Sequence, residues 1–108
     1  MSYLNIKLGL SYVGDIERIY YKLLKAFVEN YQNYIEEITT LFLNNITEYH
    51  RKIHSLKGIA KNLGSEELFE LCQKIENDLE NKELLTAVQK LFPRILEEAE
   101  GILKNSAF

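Results

Sequence analysis

His54, Lys57 and Gly58 have the residue types and the spacing of a nucleophile, a cation beside it and a clearance, all on one helix. They lie in the string His54-Ser55-Leu56-Lys57-Gly58-Ile59-Ala60-Lys61-Asn62-Leu63-Gly64. A solvated imidazole is largely neutral near pH 7, and a neutral ring nitrogen is a nucleophile. Attack on phosphorus gives a phosphoramidate, labile enough to pass its phosphoryl group on. A lysine three residues later can pair with phosphoryl oxygens. Glycine in an exposed helix costs about 1 kcal/mol relative to alanine, so helix stability does not account for Gly58. One turn after His54, it leaves room for a bulky reagent to approach the ring.

At about 100° per residue, Tyr49, Ile53, Leu56, Ala60 and Leu63 form one apolar stripe, and His54 points about 130° away from its centre. His54 is therefore expected on the surface. Lys61 and Arg51 add positive charge to the same region, with solvated faces as the plainer reading of both. Gly64 reads as a helix terminator. His50 precedes His54 by one turn, and such a pair can share a zinc ion. A third ligand is missing: Cys72 falls on a buried face and no His-Glu-x-x-His pattern occurs. No metal site is expected. His50 has Ile53 and His54 where a lysine and a glycine would have to stand, so it is not an equivalent nucleophile.

The elements that must position these residues follow from periodicity. One proline, five glycines and no alternating pattern indicate an all-helical chain. Residues 1–13 form a short helix or segment ending near Gly14, with Asp15 as an N-cap. From Ile16 through Ile19, Tyr20, Leu24, Phe27, Tyr34 and Ile38 to Phe42, apolar residues recur every three or four positions. That fits one helix of nearly thirty residues, or two with a kink near Asn30–Asn33. Asn45 with Glu48 makes a capping-box pattern for a helix ending at Leu63. Ser65 caps the next, with Leu68, Leu71, Cys72, Ile75 and Leu79 on its apolar face. Asn81 opens the last, with Pro93 inside it and a kink near Gln89–Pro93. The expected fold is all-α: residues 14–104 as an up-and-down antiparallel four-helix bundle, with the 1–13 segment added, in one domain over 1–108.

The pattern His54-x-Leu56-Lys57-Gly58-x5-Gly64 resembles the motif of histidine-containing phosphotransfer (HPt) domains. Gly9–Asp15, Tyr20–Phe27 and Leu68–Glu76 are similar to that family too, so the resemblance spans most of 6–103. It departs at Ile53, where a small residue is common; Ile53 falls in the core stripe and bears on packing. The resemblance implies that His54 takes a phosphoryl group from a receiver-domain aspartate and passes it reversibly to another. Lys57, Gly58 and Lys61 would stabilise the phosphoryl group or dock the partner. The family places a polar residue near the ring, and Glu76, at the margin of its helix's apolar face, is the candidate to orient it. Response-regulator receiver domains and a sensor histidine kinase are the implied partners. No cofactor would be bound, and magnesium would come with the receiver. The chain would be the C-terminal module of a hybrid sensor kinase or a free-standing carrier. Alternatives are the phospho-accepting domain of a chemotaxis-type kinase and a non-catalytic helical adaptor for receivers.

Composition excludes other classes. A net charge of −3 without a basic cluster argues against nucleic acid. The single cysteine forms no intrachain disulfide and suits a reducing, cytoplasmic setting, including that of a membrane-anchored kinase. No apolar run is long enough to span a bilayer, so no direct membrane contact is expected, and nothing demands more than a monomer. Neither Gly-x4-Gly-Lys-Ser/Thr nor Gly-x-Gly-x-x-Gly occurs. The purified protein incubated with radiolabelled ATP and magnesium should therefore gain no label; stoichiometric labelling without an added kinase would contradict this.

Overall fold

The computed structural model describes residues 2–106; Met1, Ala107 and Phe108, at the ends of the expected 1–108 unit, lie outside the described residues. The regular structure is helical throughout them: α1 (Ile6–Ser11), α2 (Glu17–Asn30), α3 (Tyr34–Asn44), α4 (Ile46–Leu63), α5 (Glu66–Asn77) and α6 (Lys82–Lys104). The helices α2 and α3 follow one another along one side of an all-α bundle. Together with α4, α5 and α6 they close a ring in which α4 packs on α5, α5 on α6, and both α2 and α3 on α4 and α6. The short α1 lies against α4 and α2.

Three of the six described helices begin on a side-chain cap. Asn5 caps α1 by accepting from Leu8 N–H at 3.0 Å, and Asn81 caps α6 by accepting from Leu84 N–H at 3.1 Å. Asn45 ends α3 with its own N–H on Leu41 O at 2.7 Å and caps α4 through Glu48 N–H at 3.2 Å. The reciprocal half of that capping box is missing, because the Glu48 carboxylate turns to Arg51 at 3.5 Å. The long apolar stripe is two helices: α2 and α3 separate at Tyr31–Asn33. The aromatic rings of Phe27, Tyr31, Tyr34 and Phe92 pack around that break, with neighbouring centroids 4.9–6.3 Å apart. The last helix continues through Pro93 to Lys104.

Two caps differ from expectation. Asp15 does not cap α2: Gly14 and Asp15 take φ of 67° and 60° to reverse the chain, a conformation aspartate tolerates better than most residues. The helix starts at Glu17 with Ile16 at the cap position and no side-chain cap bond. Ile16 and Ile19, expected in the stripe, are correspondingly exposed. Ile16 precedes the helix, and Ile19 sits about 100° around it from the buried Tyr20. Ser65 does occupy the position before α5, but its hydroxyl is buried and makes no cap bond.

The connection from α4 to α5 is only Gly64–Ser65, with Gly64 at φ 81°. The N-terminal segment crosses this turn. Asn5 N–H donates to Gly64 O at 2.9 Å, and Glu98 of α6 accepts from the N–H groups of Tyr3 and Leu4 at 2.9 and 2.6 Å. Leu4 is buried below them. Tyr20 O–H closes the end of α4 by donating to Leu63 O at 2.8 Å.

A Cβ on Gly64 would lie 2.0 Å from Asn5 O, whereas one on Gly58 meets nothing within 4 Å. Left-handed backbone alone costs an L-residue about 1–2 kcal/mol, and the collision adds to it. Gly64→Ala should lose at least about 2 kcal/mol of stability, and Gly58→Ala should gain about 0.5–1 kcal/mol. Urea unfolding of the two variants against the parent checks both signs.

Candidate functional site

The site is a product of α4 having two chemically different sides. Tyr49, Ile53, Leu56 and Ala60 are fully buried, and Leu63 nearly so. Facing away from them, the His54 side chain is 68% exposed. Gly58, one turn on, leaves open space beside it.

The tight Gly64–Ser65 turn folds α5 back along α4. Residues at similar distances from such a turn come near one another, so Glu76, eleven residues after Ser65, arrives within reach of His54, ten before Gly64. Its carboxylate takes three partners. Glu76 Oε2 lies 3.0 Å from His54 Nδ1 and 3.1 Å from His50 Nε2, and Glu76 Oε1 lies against Lys57 Nζ. The Glu76 side chain is 16% exposed. Burial by itself raises its pKa, but the hydrogen bonds from Lys57, His54 and His50 and the Lys57 charge outweigh that and hold it down at about 2. Glu76 is thus an ionised acceptor near neutral pH. A carboxylate has no hydrogen to give, so the His54 nitrogen facing it must carry the proton and act as donor. That leaves Nε2 with the lone pair.

The other candidates are placed as follows. Lys57 does not stand free beside the ring; it is paired with Glu76 and mostly buried. Its ammonium holds the carboxylate that holds the imidazole. Lys61 lies farther along the same face, with Nζ 4.9 Å from the centroid of the Tyr12 ring, at cation–π distance. Arg51 is exposed and pairs with Glu48. Cys72 is fully buried, and burial pushes its thiol up to about 12, so it is no ready thiolate. Among the described residues, no group of three or more His, Cys, Asp or Glu side chains is arranged to hold a metal ion, and no helix is long and apolar enough to cross a membrane.

The Hpt domain family model matches residues 22–105. The chain belongs to the HPt domain family. No curated protein and no solved structure matches it significantly. As an HPt domain it has a histidine phosphotransfer role in the phosphorelays of two-component signalling, and HPt domains as a family work with receiver domains and histidine kinases. The match begins within α2. The HPt domain described here therefore carries α1 and the segment on Glu98 as structure outside the matched range.

Sequence reasoning missed two contacts of this HPt domain. The sequence reading weighs His50 only as half of a zinc pair and as a second nucleophile, yet it shares Glu76 Oε2 with His54. The signal was its i, i+4 relation to His54, which puts both rings on the strip facing α5. Tyr12 was not connected with Lys61, because their approach depends on how α1 packs on α4.

The low pKa of Glu76 has a thermodynamic consequence. A carboxyl whose folded pKa lies below its unfolded value stabilises the fold above the unfolded value and loses that contribution as pH falls through the folded one. Here the window runs from the model-peptide 4.5 down to about 2. Glu76→Gln should be less stable than the parent at pH 6, and the difference should shrink by more than half at pH 3. Urea unfolding at the two pH values measures it; a difference independent of pH would show Glu76 to be unperturbed.

Proposed function

We propose that this HPt domain is a phosphorelay intermediate whose phosphorylated residue is His54. The observation that carries this reading is the pairing of an exposed imidazole, held through Nδ1 by an ionised carboxylate, with the open space over Gly58. In the proposed reaction, His54 Nε2 attacks the phosphorus of a receiver-domain aspartyl phosphate. A P–N bond forms as the P–O bond to the aspartate breaks, and the bonding pair leaves with the aspartate oxygen. The positive charge that develops on the ring is offset by Glu76 at Nδ1. The reverse step delivers the phosphoryl group to a second receiver aspartate. In this reading magnesium is supplied by the receiver.

Lys57 contributes through Glu76 in the resting chain and can swing to the phosphoryl oxygens once they arrive, a short move for a flexible stem. Gly58 and Lys61 extend the docking face along α4, with Gly58 admitting the receiver and Lys61 adding positive charge. The carrier works in the cytoplasm as a monomer, free-standing or as the C-terminal module of a hybrid sensor kinase.

The test is phosphoryl transfer from a labelled, phosphorylated receiver domain. The parent should acquire acid-labile, alkali-stable phosphate, His54→Gln none, and His50→Gln should still become labelled. Binding of receivers without any label on the parent would make the chain an adaptor. Gly58→Gln separates access from folding: it should melt at or above the parental temperature, since glutamine is the better helix former by about 0.5–1 kcal/mol, while transfer falls severely. Parental transfer rates in that variant would remove the clearance role of Gly58.

A further inference from the structure

His50 has no part in the phosphoryl-transfer chemistry described above, yet it is built into the same cluster. It stands one turn before His54 on α4, and its Nε2 lies 3.1 Å from Glu76 Oε2, the oxygen that also meets His54 Nδ1 at 3.0 Å. Its side chain is 44% exposed against 68% for His54, so the ring is drawn toward α5. Lys57 takes the opposite oxygen of the same carboxylate. Each oxygen of Glu76 thus has a partner on α4, one turn before and one turn after the level of His54.

We infer that His50 is a positioning residue, which pins Glu76 Oε2 so that His54 is held with its proton on Nδ1 and its lone pair on Nε2. The inference rests on the reading of His54 as the phosphoryl acceptor. A glutamate side chain has three rotatable torsions, and a single donor does not fix where its oxygens lie. With Lys57 on Oε1 and His50 on Oε2, the carboxylate plane is held from two sides, and His54 meets an acceptor already in place. One carboxylate oxygen accepts from both rings because it offers two lone pairs. His50 must then donate from Nε2, which places its own lone pair on Nδ1. The two rings of one strip therefore hold opposite tautomers on a shared acceptor. His50 touches neither the phosphoryl group nor the receiver aspartate; it acts only through Glu76.

The experiment compares the parent with His50→Gln and His50→Leu in the full chain labelled with nitrogen-15. The side-chain amide of glutamine places an N–H at nearly the reach of histidine Nε2; leucine has comparable bulk and no donor. Ring nitrogen chemical shifts of His54 report its tautomer directly, and transfer from a phosphorylated receiver reports the consequence. The parent and His50→Gln should show His54 protonated on Nδ1, with closely similar transfer rates. His50→Leu should show a mixture of His54 tautomers and transfer slowed several-fold. Parental shifts and rates in His50→Leu would overturn the inference. So would equal slowing in both variants with His54 shifts unchanged, since His50 would then act by contacting the receiver. The tautomer measurement needs no phosphoryl transfer. A His50-dependent tautomer in a chain that never accepts phosphate would refute the phosphotransfer reading of His54 and leave the coupling of His50, Glu76 and His54 intact.

Discussion

Between α4 and α5 the chain has two residues in which to reverse, and much of the molecule is arranged around that turn. Gly64 makes it possible by taking a φ of 81°, where a Cβ would collide with Asn5 O. The same residue accepts the Asn5 N–H, so the N-terminal segment is fastened to the turn it crosses. A two-residue link also restricts the register: α5 must run back beside α4, with each residue near those about equally far from the turn. Glu76 reaches His54 for this reason. A loop one or two residues longer would offer the imidazole a different side chain or none.

The electrostatics of the cluster depend on that register. A carboxylate at 16% exposure has lost much of its hydration, which favours the neutral acid. Three donors from α4 reverse the balance and hold the pKa of Glu76 down at about 2. The exchange is mutual. The ionised carboxylate fixes the tautomer of the imidazole, keeps the Lys57 ammonium close, and lets His50 donate as well. All three donors are gathered on Glu76, and His54 is the most exposed of them.

The helix α4 meets two demands that pull its sequence apart. Its inner side needs volume, supplied by Tyr49, Ile53, Leu56, Ala60 and Leu63. Its outer side needs donors and an absence of volume. The glycines on it show the difference. Gly64 is required by backbone conformation, whereas Gly58 has open space around it and is unfavourable for the helix it sits in. In the proposed function, what must approach from outside accounts for a residue that weakens its own helix and fills no packing need.

The sequence alone determined the helices, the caps at Asn45 and Asn81, the end of α4 at Gly64, and the outward direction of His54. All of these are local: they depend on a period of 3.6 residues or on a side chain reaching a backbone group three or four positions away. The break between α2 and α3 was half legible, since the apolar stripe continues across it and only Asn30–Asn33 marks it. Asp15 was misread because a turn residue and a cap residue are the same types of residue, and only the backbone angles separate them. Tertiary structure alone decided that Lys57 faces Glu76, that Lys61 lies over Tyr12, and that His50 and His54 meet on one oxygen. Those contacts join residues from different helices or fix which of several rotamers a long side chain adopts. Their geometry is set by how α1 and α5 pack on α4, a relation between surfaces that the period of any single helix does not contain.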